Sequence, residues 1–199
     1  MNTRILIVCD TNGGNTYRMA QRIARGVESA DGGESILRAV PKVGARTEPR
    51  LDDVPETGAP YVELDELADC DGLILGSPTH FGNMSASLKH FLDGTTSQWF
   101  GGALAGKPAA AFTSTGSLHG GNEATLLTMM IPLLHHGMVL VGLPYSHPGL
   151  MQTTRGGTPY GASHVSGESG EAPLDPTEAA LCEFLGRRVA TFARKLAVP

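Results

Sequence analysis

At 199 residues the chain is long enough to bury one full core and short for two. Its apolar and charged contents, 41% and 18%, lie near globular averages, and a net charge of -5 disfavours nucleic acid or an anionic membrane as main partner. The 26 glycines are spread along the chain, which points to many tight loops where backbone approaches something closely.

The first element reads as a strand, since Ile5 to Val8 is a continuous apolar run suited to a parallel strand buried on both faces. After a polar loop, Met19, Ile23 and Val27 recur at four-residue spacing and mark a helix. Gly32-Gly33 breaks the chain, and Ser35 to Val40 is a second strand. Residues 41–61, rich in Pro, Gly and charge, read as a surface insertion or long loop. A short helix is expected over Leu64 to Ala68, a third strand over Gly72 to Gly76, and a helix over Ser85 to Leu92. Pro108 to Phe112 is a fourth strand, Glu123 to Leu134 a well-buried helix, and Met138 to Val141 a fifth strand. Residues 142–172 are rich in Gly, Pro and Ser and read as a long loop. The last helix opens with Asp175 as N-cap, Pro176 in the first turn and Glu178 closing a capping box. Its apolar stripe runs through Leu181, Leu185, Val189, Phe192 and Leu196.

Strands alternating with helices in this way imply an α/β domain covering residues 1–199: a doubly wound, five-stranded parallel sheet with helices on both faces. Ligands on such sheets sit beyond the carboxyl ends of the strands, where loops lead into helices. Three of those loops are dense in Gly, Ser and Thr. Cys9, Cys70 and Cys182 are odd in number and lack metal-ligand spacing, so reduced, buried thiols and no metal are expected. The opening apolar run is shorter than a signal-peptide core, and no later stretch approaches membrane-spanning length; a cytoplasmic location is the expectation.

The first loop, Thr11-Asn12-Gly13-Gly14-Asn15-Thr16, opens onto the first helix. An anion there meets unpaired amides, the positive end of the helix dipole and two threonine hydroxyls. Gly13 and Gly14 let the backbone curl without Cβ clashes. No Lys or Arg lies inside the loop, and neither GxxxxGK[ST] nor GxGxxG is present, which disfavours nucleoside triphosphates and dinucleotides. The cradle suits a single terminal phosphate such as that of FMN; the plainer alternative is an ordinary strand-to-helix turn capped by Thr or Asn. The second loop, Ser77 to Asn83, contains Thr79, His80 and Phe81 between Pro78 and Gly82. The third, Ser114 to Gly121, offers Ser114, Thr115, Gly116, Ser117, Leu118 and His119, with amides and hydroxyls suited to a flavin ring.

These stretches, with Gly76 to Met84, Phe91-Leu92-Asp93, His135-His136-Gly137-Met138 and Arg155 to Ala162, resemble the WrbA-type NAD(P)H:quinone oxidoreductases of the flavodoxin-like superfamily, over nearly the whole chain. The resemblance implies that Thr11 to Thr16 hold the FMN phosphate and that Thr79 to Phe81 and Ser114 to His119 border the ring. It further implies that His135 contacts the isoalloxazine edge and acts in turnover, and that Trp99 walls the cavity where nicotinamide and quinone stack. Two positions depart from that branch, which often has an aromatic residue at Gly13 and histidine at Asn15; the third loop is also a residue longer near Leu118.

The activity so implied is FMN-dependent, two-electron, ping-pong hydride transfer from NAD(P)H to flavin N5 to quinone, in a homotetramer built as a dimer of dimers. Two rivals are a flavodoxin-like one-electron carrier and a non-catalytic, repressor-associated binding protein. The first is disfavoured by the scarcity of clustered acid near the loops, the second by the lack of a basic patch.

Overall fold

The computed structural model describes residues 2–44 and 58–197. Chain order gives β1 (Thr3–Cys9), α1 (Asn15–Glu28), β2 (Gly33–Ala39), α2 (Glu66–Asp69), β3 (Gly72–Pro78), α3 (Ala86–Asp93) and α4 (Thr96–Phe100). Then follow β4 (Pro108–Thr115), α5 (Asn122–His135), β5 (Val139–Leu140), α6 (Pro148–Gln152), β6 (Ala162–Val165) and α7 (Pro176–Leu196).

The apolar run of β1 alternates between two cores. Ile5 and Ile7 face Met19, Ile23 and Val27 of α1 and Leu181, Leu185 and Val189 of α7. Leu6 and Val8 face Leu88 and Leu92 of α3 and Leu126, Met129 and Leu133 of α5. A strand buried on both faces needs no polar side, which is why its sequence is unbroken hydrophobe. Fully burying each such Leu or Ile contributes about 1.5–3 kcal/mol. Helices α1 and α7 touch through glycine: a Cβ on Gly186 would lie 2.1 Å from the Ile23 carbonyl oxygen, so any side chain there would push the two helices apart.

All strand pairs are parallel, in the order β2-β1-β3-β4-β5 that defines the flavodoxin-like winding. The five expected positions are present, but the fifth is shared. β5 pairs only with Pro108 and Ala109 at the start of β4, whereas β6 pairs with Phe112 to Thr115 at its end. The stretch 142–172 is therefore not simply a loop; it contains α6 and a sixth strand. Ala-Ser-His-Val carries too little apolar character to announce β6, because its hydrogen bonds to β4 rather than its side chains define it. Helix α4 was likewise absent from the sequence expectation; it has no side-chain cap and no buried residue. Of the expected 41–61 insertion, residues 45–57 lie outside the described residues. Among the described residues no helix is long and apolar enough to cross a membrane.

Candidate active site

The chain leaves β1 at Cys9, turns, and enters α1 at Asn15. Gly14 sits at the N-cap with φ of 83° and no side chain caps the helix, so its first amides remain available. A Cβ at Gly14 would carry the strain of that left-handed backbone, whereas one at Gly13 would meet no atom within 4 Å. Only the second glycine is thus demanded by the protein itself. Thr11 Oγ1 is buried without a hydrogen-bond partner, and Thr16 is 1% exposed. An orphaned hydroxyl beside uncapped amides fits an anion that accepts from all of them.

The side chain of Asn15 serves the loop's surroundings: its Nδ2 donates to the Gly170 carbonyl at 2.7 Å, and its Oδ1 accepts from Arg18 Nη1 at 2.7 Å. A cation does reach the loop from outside it. Lys42, just beyond β2, pairs with Asp10 and donates to the Thr11 carbonyl at 2.7 Å and to Asn12 Oδ1 at 2.8 Å. The parallel register Cys9↔Ala39 places the chain after β2 beside the chain after β1; that was the signal by which Lys42 was recoverable. Beneath the loop, burial foremost and then the charge of Asp10 push the Cys9 thiol up to about 12, leaving it inert.

The second loop is a tight hairpin. His80 and Asn83 exchange backbone hydrogen bonds at 2.8 and 3.0 Å, and both central residues, Phe81 and Gly82, have positive φ (52° and 75°). Phe81 is held fully exposed at its tip. Thr79 Oγ1 lies 2.6 Å from Thr125 Oγ1, and Asn12 Nδ2 is 3.5 Å from His80 Nε2, which joins the first two loops. In the third loop, Thr115 Oγ1 is 2.8 Å from the Ser117 carbonyl and Asn122 Nδ2 donates to the Leu118 carbonyl at 3.0 Å. Gly121 packs so tightly on the hairpin that a Cβ there would lie 3.0 Å from Gly82 Cα.

These loops enclose a cleft of about 480 Å³, within the usual range for small-molecule sites. Thr11, Asn12, Gly13, Asn15 and Thr16 line it on one side, and Pro78, Thr79 and His80 on another. Ser114, Thr115 and Gly116 complete the third. Gly14 shapes the turn without lining the cleft, and Phe81, Ser117, Leu118 and His119 lie outside its lining. A fourth wall, which the sequence did not suggest, comes from Ser166, Ser169, Gly170 and Glu171 after β6. Ser166 is fixed there because its amide and its hydroxyl both donate to the Thr115 carbonyl, at 2.8 and 3.0 Å.

His135 and Trp99 do not enter this cleft. They line a separate groove of about 590 Å³ with Met84, Leu92, Ile131 and His136. Trp99 Nε1 donates to the His135 carbonyl at 2.8 Å. His136 Nε2 lies 3.0 Å from Thr95 Oγ1, whose own proton goes to the Leu92 carbonyl, so the imidazole donates and its Nδ1 is left buried without a partner. Burial first, then the neighbouring His135, holds the His136 pKa below its ordinary value. Among the described residues no three His, Cys, Asp or Glu side chains gather as a metal site.

A 2-1-3-4-5 parallel sheet with an uncapped anion cradle where β1 gives way to α1, beside the β1/β3 switch point, defines a flavodoxin-like, FMN-binding protein. The model of the NADPH-dependent FMN reductase family matches residues 3–147. An NAD(P)H dehydrogenase (quinone) of Syntrophobacter fumaroxidans is 44% identical over 202 residues, spanning 97% of this chain and 98% of that one. A protein of the same name from Geotalea daltonii is 40% identical over 97% and 98%. A solved WrbA-like flavodoxin from Agrobacterium tumefaciens shares the fold with a TM-score of 0.68 at 22% identity, covering 98% of this chain and 99% of that one. The chain belongs to the NADPH-dependent FMN reductase family, among relatives named NAD(P)H dehydrogenase (quinone). FMN is its cofactor, and the phosphate cradle fits it.

Proposed function

We propose that the protein is an FMN-dependent NAD(P)H:quinone oxidoreductase in which nicotinamide and quinone take turns in one cavity. The observation that carries this reading is the cleft lining: among the described residues it contains no Phe, Tyr or Trp. A one-electron carrier of flavodoxin type covers its flavin with aromatics from its own loops. Here Phe81 is fully exposed and outside the lining, and Trp99 lies in another groove, which leaves the cleft open to a planar substrate. FMN, when bound by these residues, would supply the two-electron redox chemistry between nicotinamide and quinone. The protein's part is placement. The uncapped amides of α1 and the Thr11 and Thr16 hydroxyls hold the phosphate. Thr79, His80 and Ser114 to Gly116 orient the ring. Mutual exclusion of the two substrates from one cavity gives ping-pong kinetics.

A second copy of the chain completes the site. Helix α5 exposes Leu127, Ile131 and Leu134 along one stripe, with Trp99 and Phe100 of α4 also exposed. Solvated apolar rows of this size are buried in an assembly. In a dimer of dimers, Trp99 and His135 are supplied to the cleft of a neighbouring subunit, where His135 borders the flavin and Trp99 walls the substrate cavity. Three free, buried cysteines support a reducing, cytoplasmic setting.

The test is anaerobic mixing of the FMN-loaded protein with NADH or NADPH. The expected outcome is bleaching of the flavin absorbance, reversed by one equivalent of quinone, with parallel double-reciprocal plots. Failure of both nicotinamides to bleach it, with reduction only by a protein reductase, would favour the electron carrier. Light scattering of the same sample is expected to give a tetramer; a monomer overturns the shared site.

A further inference from the structure

We infer that His164 is a positioning residue for the cofactor: held between Glu178 and the Ala172 carbonyl, its imidazole clamps residues 166–172 as the fourth wall of the FMN cleft. The inference rests on FMN occupying that cleft.

Both His164 and Glu178 are fully buried, and the two meet at 2.8 Å through His164 Nδ1. Every acceptor position of the Glu178 carboxylate is in use. Oε1 accepts from the amides of Gly156 and Val165 at 2.9 and 3.1 Å, and Oε2 from the amide of Asp175 at 2.8 Å and from His164. Burial alone would raise its pKa. The His164 hydrogen bond, the Asp175 and Val165 amides and the His164 charge together hold it below the ordinary carboxylate value. On the other side of the ring, Nε2 lies 3.1 Å from the Ala172 carbonyl, which can only accept. The ring therefore bridges the Glu178 carboxylate and the Ala172 carbonyl.

The loop beyond is pinned at three points. Its base closes where the Ala172 amide donates to the Ser166 carbonyl at 2.9 Å, and His164 grips the same residue 172 through its carbonyl. Its tip is tied to the phosphate loop, where Asn15 donates to Gly170. Glu178 and the phosphate loop thus hold opposite ends of the same segment, Glu178 through His164 at Ala172 and the phosphate loop through Asn15 at Gly170.

Two measurements on the full chain test this. In the ring ¹⁵N spectrum of the protein, His164 Nε2 is expected to carry a hydrogen bonded to the Ala172 carbonyl; an Nε2 without that contact overturns the clamp. In FMN titrations of flavin-free protein, followed by fluorescence quenching, His164→Leu is expected to bind about tenfold more weakly, the loss of one or two buried hydrogen bonds. Amides 167–171 are expected to exchange faster while those of β4 and α1 keep their protection. His164→Gln, which keeps one N–H donor, is expected to fall between. A folded His164→Leu with FMN affinity within about twofold of the parent overturns the inference. Should His164→Leu not fold, His164→Gln carries the same comparison. If the parent protein itself takes up no FMN, the flavin reading fails instead, and the nitrogen spectrum and amide exchange still decide the clamp.

Discussion

Lys42 Nζ donates to the carbonyl of Thr11 at 2.7 Å, across 31 positions of sequence, and so places a fixed positive charge behind a phosphate loop that has none of its own. Its ion-pair partner Asp10 is 3% exposed, while Lys42 itself is about half exposed. Lys42→Met strands the carboxylate. The expected loss is about 1 kcal/mol of stability, reduced from the buried-pair figure because solvent screens the lysine. Urea unfolding checks it, and adding Asp10→Asn to Lys42→Met is expected to recover part of the loss.

Thr11 offers a test in which stability and binding separate. Its hydroxyl is buried with no partner in the protein, so Thr11→Val is expected to leave the flavin-free protein as stable as the parent or slightly more so. FMN affinity is expected to drop by about tenfold, because on the proposed reading this hydroxyl, without a partner in the protein, donates to the ligand phosphate. Equal FMN affinity in titration would show that the hydroxyl does not touch the phosphate.

The neighbouring glycines are expected to differ. Gly14→Ala forces a Cβ into a backbone with φ of 83° and is expected to cost about 1–2 kcal/mol. Gly13→Ala meets open space and is expected to stay within about 0.5 kcal/mol of the parent. Thermal unfolding of both flavin-free variants distinguishes them.

Placing glutamate at both Leu127 and Ile131 on the exposed stripe of α5 is expected to break the proposed tetramer without unfolding the subunit, because both side chains are exposed in the single chain. Light scattering reads the mass, and NADH-driven quinone reduction is expected to fall with it. A tetramer that survives with full activity would move the interface elsewhere.

Glu178 sets an acid limit. Its pKa is lowered in the folded protein, so the stability it contributes is fully present above its ordinary value near 4.5 and is lost as pH falls through the folded value. Glu178→Gln is expected to lose about 3 kcal/mol at neutral pH, because one amide oxygen cannot take the four contacts that the two carboxylate oxygens accept. Its unfolding free energy is then expected to vary less with pH below that value than the parent's does. Urea midpoints across an acid series decide this.

Much of this architecture was readable from residues whose roles are local. The unbroken run Ile5 to Val8, the stripe on α1, and the Asp175–Glu178 capping box all declare themselves through spacing. The capping box was legible, but only as a cap: that the same Glu178 also gathers Gly156, Val165 and His164 depends on a strand 13 or more residues upstream. The first three cleft walls follow strands, and their Gly, Ser and Thr were visible as such. Ser166 to Glu171 resembles any polar loop until the pairing of β6 with β4 brings it to the cleft. Trp99 and His135 were grouped with the flavin by resemblance, and within one subunit the fold sets them in a different groove.

The divided edge of the sheet couples its outer border to the binding cleft. Because β5 and β6 both bond to one side of β4, residues 141–161 form an excursion that departs from the sheet and returns to the same edge. The returning limb brings Ser166, Ser169, Gly170 and Glu171 to the cleft, so a change of length in this excursion would leave the inner strands wound as they are while altering one wall of the binding site.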